Sequence, residues 1–211
     1  MMVAPTERLP TLRGRQTQAA LDAAARTVVA RKGILATTVA DIAAEAGKST
    51  ASFYNYYDSK EAMVRQWAVH FRDEARERTT SATAPDLDSR ERVHRAVAAH
   101  WHSYRHRLAE MIGVSQLAMI NDDFAKYWSD ICEPPTAMIT SMVKEAQREG
   151  FSISDDPHLV AVAMVSMLNQ FCYVQLSGAG GAAASVDDDA CITTLTNVCY
   201  RTIYDKGAAR G

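Results

Sequence analysis

Residues 36–60, ATTVADIAAEAGKSTASFYNYYDSK, decide the fold. They read as a short helix, a turn containing a glycine, a second short helix and the cap of a third. Thr38 opens the first helix, where its hydroxyl can accept from a free N–H, and Asp41 three residues on completes a capping box. Val39, Ile42, Ala43 and Ala46 recur at helical spacing and form one apolar face. Gly47 supplies the left-handed residue that ends such a helix, and Ser49 is a good N-cap for the next. In that next helix Phe53, Tyr56 and Tyr57 share one side, while Thr50, Ala51, Tyr54 and Asn55 share the other. The second side is small, polar and aromatic, with few charges. Such a surface fits a major groove, where small polar groups read base edges and hydroxyls bond phosphates.

This segment closely resembles the DNA-binding helix-turn-helix of TetR (tetracycline repressor) family regulators. The resemblance rests on Thr38, Ile42, Ala43, Ala46, Gly47, Ser49, Phe53, Tyr54, Tyr56, Tyr57, Ser59 and Lys60. An ordinary helical hairpin is the alternative; the coincidence of a tight turn, two caps and a buried aromatic pattern argues against it. Carried over residue by residue, the resemblance implies that Thr38, Ser49, Tyr54, Tyr56 and Lys60 hold phosphates. It likewise implies that Thr50, Ala51, Ser52 and Asn55 face base edges. Two positions depart from the family pattern. Lys48 stands where a small apolar residue, often valine, is usual, and is expected to point toward the DNA backbone. Asp58 stands where a basic residue is common, which weakens backbone attraction while offering a helix N-cap.

The composition agrees with a protein that touches DNA at one end. The chain has 211 residues, 47% of them hydrophobic, and a formal charge of −2. Residues 1–60 hold eight Lys/Arg and five Asp/Glu, a net of +3, which leaves −5 on the remainder. A basic head on an acidic body suits contact with nucleic acid through the head alone. Cys132, Cys172, Cys191 and Cys199 lack metal-ligand spacing and sit among apolar residues, which predicts reduced thiols and a cytoplasmic location. No apolar run follows the basic N-terminal stretch, so no signal peptide is expected. No segment is expected to cross a membrane. The stretch Leu159 to Leu176 comes nearest, and Ser166, Asn169, Gln170 and Gln175 interrupt it.

Periodicity predicts an all-α protein of about nine helices, with no strand and no internal repeat. Residues 1–14, with Pro5, Pro10, Arg8 and Arg13, read as a flexible basic arm. A helix over 15–32 buries Leu21, Ala24, Ala25, Val28 and Val29, and Gly33 ends it. With the helix-turn-helix it makes a DNA-binding domain over 15–60. A connecting helix follows to about residue 80, and a loop over 81–86 marks the domain boundary. The body, 86–206, begins with a helix over 88–111 whose stripe is Val93, Val97, His100, Trp101, Tyr104, Leu108 and Met111. A shorter helix follows over 112–120, then one over 122–149 that Pro134-Pro135 must kink or break. Gly150 closes it, an apolar helix runs over 157–176, a Gly/Ala connector over 177–185, and a last helix ends near Lys206. The family resemblance implies that the last two helices, about 157–177 and 187–206, build a homodimer. That would set two recognition helices one DNA turn apart, roughly 34–36 Å.

The resemblance also implies a small apolar or amphipathic effector bound in the body. Its candidate lining is His100, Trp101, Tyr104, Met111, Phe124, Trp128, Met138, Met142, Asn169 and Phe171. His100 can equally be a core histidine bonded to a neighbour. Asn169, with Ser166, can equally pair across a dimer, and the methionines can be ordinary core. Other motifs fail on context. Gly47-Lys48-Ser49 lacks the preceding glycine and strand of a phosphate loop, and Gly113-Val114-Ser115 lacks the second glycine of a nucleophile elbow. His102 and His106 have no third ligand in view, so no metal and no cofactor are expected. A helical enzyme with an incidental helix-turn-helix pattern is the competing function class. It needs a nucleophile beside a base or paired carboxylates, and the sequence offers neither. The sequence therefore reads as a DNA-binding repressor released from a near-palindromic operator by its effector. Activation is the alternative within this class, since operator position decides that.

Overall fold

The computed structural model of the chain describes residues 12–79, 87–177 and 186–205, and the side chains of all of these except 72–79. Among the described residues there are nine helices and no strand. They are α1 (Leu12–Lys32), α2 (Val39–Glu45), α3 (Thr50–Tyr54), α4 (Lys60–Thr79), α5 (Ser89–His106), α6 (Leu108–Ala118), α7 (Asp122–Arg148), α8 (Pro157–Leu176) and α9 (Asp188–Ile203). The N-terminal arm expected over 1–14 is corrected at its end: residues 12–14 already belong to α1, and 1–11 lie outside the described residues. The loop over 81–86, the connector beyond Ser177 and the approach to Lys206 lie outside them too.

α1 buries Leu21, Ala24, Ala25, Val28 and Val29, the stripe read from its periodicity. α2 crosses it and α3 packs on α2, while α4 leaves this head to pack on α6 and α7. Beyond it α5 lies against α8 and α9, and α7 against α6 and α8. The buried side chains form one continuous apolar cluster from Leu21 to Tyr204.

Three expectations are corrected. The helix expected over 88–111 is two helices, with the corner at Arg107 (φ −123°, ψ 28°). The Arg107 N–H donates to the carbonyls of Ser103 and Tyr104 at 3.1 and 3.2 Å, while its own carbonyl accepts from Met111 at 2.9 Å. Apolar residues continue across the corner, so periodicity carried no mark of it. Of the kink or break expected at Pro134-Pro135, the break is absent, and α7 runs through both prolines as one helix of 27 residues. Two backbone donors are still missing there. Burial of Phe124, Ile131, Pro134, Ile139, Val143 and Ala146 along one face offsets that loss. Finally, α8 is long and apolar enough to cross a membrane, with a mean hydropathy of 1.6, contrary to expectation. Its interrupting residues are polar but uncharged, so hydropathy survives them. In the fold α8 turns Ala161, Met164, Val165, Leu168 and Cys172 inward. Leu159 and Val162 stand exposed on it, as does Val198 on α9.

Candidate nucleic-acid interface and cavity

The head is held by its local signals. Thr38 Oγ1 accepts from the Asp41 N–H at 3.1 Å, and Asp41 Oδ2 accepts from the Thr38 N–H at 2.7 Å, the reciprocal bonds of a capping box. Lys32 Nζ sits 2.7 Å from the same carboxylate. The Lys32 bond, then those from Thr38, hold the Asp41 carboxyl well below the usual carboxylate range. Gly47 has φ +61°, so it takes the left-handed turn that other residues resist. The Gly47 and Lys48 N–H groups donate back to Ala44 and Ala43 at 3.1 and 2.8 Å, the paired bonds of a Schellman motif. Ser49 then caps α3, its Oγ accepting from the Ser52 N–H at 3.1 Å.

Phe53 and Tyr57 are buried and Tyr56 half-buried beneath α3. Tyr57 Oη donates to Asp22 at 3.0 Å and accepts from Gln18 at 3.3 Å, tying the end of the head to α1. Burial pushes the Tyr57 hydroxyl up to about 12. On the opposite face Lys48, Ser49, Thr50, Ala51, Tyr54 and Asn55 stand exposed, Tyr54 at 56%, with Ser52 half-buried between them.

Three of the expected roles meet resistance. Lys60 Nζ donates to the carbonyls of Ile34 and Thr37 at 2.8 and 2.7 Å, so its charge anchors the loop before α2 instead of standing free for a phosphate. The Thr38 hydroxyl donates to Asp41 Oδ2 at 2.6 Å, which commits its proton within the head. The N-cap of α4 is Ser59, whose Oγ accepts from Ala62 at 3.0 Å, in place of Asp58.

Two links join the head to α6. Arg26 Nε lies 2.8 Å from Glu110 Oε1; Glu110 is 3% exposed and also has Arg107 at 3.6 Å. Gln116 Oε1 accepts from the Ile34 N–H at 2.9 Å. Gly33 (φ +76°) sits under that amide, and a Cβ there would come within 2.6 Å of it. Sequence reasoning passed over Glu110, and nothing near it in the chain marks it.

In the body, α5, α7 and α8, with Phe71 of α4 and Met111 of α6, line a partly open cavity of about 130 Å³. Of the residues singled out in the sequence, His100, Tyr104, Met111, Met138 and Asn169 stand in its wall, beside Phe71, Ser103, Cys132, Pro135 and others that were not. A smaller cavity of about 30 Å³ shares His100, Pro135 and Met138 and adds Met142. Trp101, Phe124, Trp128 and Phe171 line neither. Trp101 is fully buried, its ring 6.2 Å from that of Phe171, and Phe124 packs on Tyr127 at 6.0 Å. Neither cavity has a Lys, Arg, Asp or Glu in its wall. Burial holds the His100 imidazole down at about 4, with the Asn169 amide beside it acting in the opposite sense. His100 Nε2 and Asn169 Oδ1 are both buried away from solvent, with the amide close enough to favour the charged imidazole as its hydrogen-bond partner. Burial also pushes the thiols of Cys132, Cys172 and Cys199 up to about 11, 12 and 11, and that of Cys191 upward, which leaves them protonated and slow to oxidise.

Known proteins share this arrangement. The model of bacterial regulatory proteins of the tetR family matches residues 21–66, which cover α1 to the start of α4. The HTH-type transcriptional repressor KstR2 of Rhodococcus jostii is 34% identical over 134 residues. That match spans 57% of this chain and 64% of KstR2, just under two thirds of its length. The HTH-type transcriptional regulator EthR of Mycolicibacterium smegmatis is 20% identical over 192 residues, 90% of this chain and 88% of that one. A regulator from Saccharomonospora viridis, solved in complex with choline, superimposes with a TM-score of 0.67 at 18% identity, over 90% of this chain and 99% of its own. These relatives are regulators of transcription and not enzymes. The helix-turn-helix segment thus matches the tetR family of bacterial regulatory proteins in sequence, and the body matches regulators of that family in fold.

Proposed function

We propose that this chain is a ligand-responsive repressor of transcription, acting in the cytoplasm as a homodimer on a near-palindromic operator. The observation that carries the reading is the exposed face of α3. Thr50, Ala51, Ser52 and Asn55 meet base edges, while Lys48, Ser49 and Tyr54 meet the phosphates that flank them. Residues 15–60 form the DNA-binding domain, 61–80 the connecting helix and 86–206 the effector and dimerisation domain. The exposed apolar residues Leu159 and Val162 on α8 and Val198 on α9 support pairing through these helices.

The effector enters the cavity between α5, α7 and α8. It need only bind the DNA-incompetent arrangement more tightly than the competent one. α4 is the lever, since it packs on α6 and α7 and starts at the head. The Glu110 and Gln116 links make α6 a second route from cavity to head, because Met111 of α6 lines the cavity. Choline, bound by one relative, is a cation, and no carboxylate lines the cavity here, which argues for a different ligand.

A gel-shift assay with the DNA flanking the chain's own gene tests the reading. A retarded band that weakens steeply with salt is expected. Asn55→Ala should relax the selected operator consensus at one base position, a discrimination worth about 1–3 kcal/mol. An unaltered consensus removes Asn55 from the base-reading set, and no specific band at any salt concentration refutes the function.

A further inference from the structure

We infer that the body takes an unbranched alkyl chain laid along α5 and α7, its far end in the smaller cavity and its head at the open side of the larger. The inference rests on the effector reading above and names the ligand class of that site. On α5 the smaller cavity takes residues from Val93 to His100, and the larger takes those from Ala96 to Tyr104. On α7 the order reverses, with Ile131 to Met138 at the larger and Pro135 to Met142 at the smaller. The two spaces therefore lie end to end along helices that run in opposite directions. Each stretch, Val93 to Tyr104 and Ile131 to Met142, measures roughly 16 Å at the rise of an α-helix. Beyond Val93 and Met142 the helices are bridged by Arg92 Nη1 and Glu145 Oε2 at 2.9 Å.

The walls define what fits. The smaller space is apolar apart from His100, so only the apolar part of a ligand belongs there. A benzene ring occupies an apolar cavity of about 150 Å³. At about 30 Å³ the smaller space admits methylenes in single file and no ring. Ala96, His100, Pro135 and Met138 stand in both walls and divide the two spaces. Met138 is half-buried and its side chain turns about three bonds, so its movement opens one space into the other. Met142 and Met164 make the inner wall adaptable in the same way. The larger space carries the polar lip, where Ser103 is half-buried and Ala99 exposed, so a head group there keeps its water.

Calorimetric titration of the full chain with straight-chain alcohols from butanol to decanol tests this. Affinity should rise about fourfold per added methylene through the series. Methionine-methyl NMR locates the chain, because Met111 lines only the larger space, Met142 and Met164 only the smaller, and Met138 both. Butanol should shift Met111 and Met138, and decanol should shift all four. Met142→Phe should bring decanol down to about the level of hexanol. If that variant does not fold, the methyl spectra of the unsubstituted protein decide the matter. Affinity that levels off by hexanol overturns the inference, and so do Met142 and Met164 methyls unmoved by decanol. Tighter binding of cyclohexylmethanol than of heptanol, its match in carbon number, overturns it too. DNA release is read separately by gel shift. Decanol binding that leaves the DNA complex intact keeps the ligand class and removes the effector role. Release by a ring compound, with the inner methyls unmoved by decanol, does the reverse.

Discussion

In the head, between Thr38 and Asn55, the informative polar side chains stand exposed or cap a helix three residues away. In the body they are buried, and the groups that face them come from distant parts of the chain: His100 on α5, Cys132 on α7 and Asn169 on α8 share one cavity. An exposed polar group is already satisfied by water and is free to exchange it for a phosphate or a base. A buried one has given up water and must find its partner in the fold or in a ligand. The head therefore keeps its polar groups available at the surface, whereas the body commits its own inside the fold.

The contrast can be broken most severely at Trp101. It is fully buried in the body core, so Trp101→Ala should cost about 3–5 kcal/mol of stability by thermal or denaturant unfolding. A loss below about 1 kcal/mol would mean that the body core does not carry the fold.

Acid is the next lever, and it separates the regions by pH. The His100 ring titrates at about 4 when folded against 6.5 ordinarily, so the unfolded chain takes up this proton first as pH falls. Its contribution is fully present above pH 6.5 and is lost between 6.5 and 4, on the order of 3 kcal/mol in all. His100→Gln should flatten stability across that window. Asp41 in the head, depressed from 3.8, acts only below that window, as pH falls through its lowered folded value. A stability profile flat from 6.5 to 4 in the unsubstituted protein would place water around His100.

The smallest effects distinguish two lysines of the head. Lys60→Met should cost about 1–3 kcal/mol of stability, because two carbonyls lose a charged donor, and should leave the salt dependence of DNA binding unchanged. Lys48→Ala should change stability by under about 0.5 kcal/mol and lower the salt slope by about one. The opposite pattern would return Lys60 to the phosphates.

Much of the head was legible because its signals are local. A cap is read from Thr38 and Asp41, a left-handed turn from Gly47, and a second cap from Ser49, all within twelve residues. The Lys60 bonds were not legible because its partners lie 23 and 26 residues upstream, where a basic residue next to a helix start looks like any surface cation. The cavity was half legible for a related reason. Large aromatics were expected to line it, yet Trp101 and Phe124 lose the most water contact by packing fully and so went to the core. Beside Tyr104, the wall takes residues that carried no signal in the sequence: Phe71, Ser103, Cys132 and a proline that looked like a helix breaker. The corner at Arg107 leaves no trace in an apolar stripe that runs on past it.

The Gln116 amide occupies the space that any side chain at position 33 would need, and it also receives the Ile34 N–H. A side chain at position 33 would push the Gln116 amide aside and break its bond to the Ile34 N–H, so a change at this one glycine would loosen α6 from the start of the head's short helices.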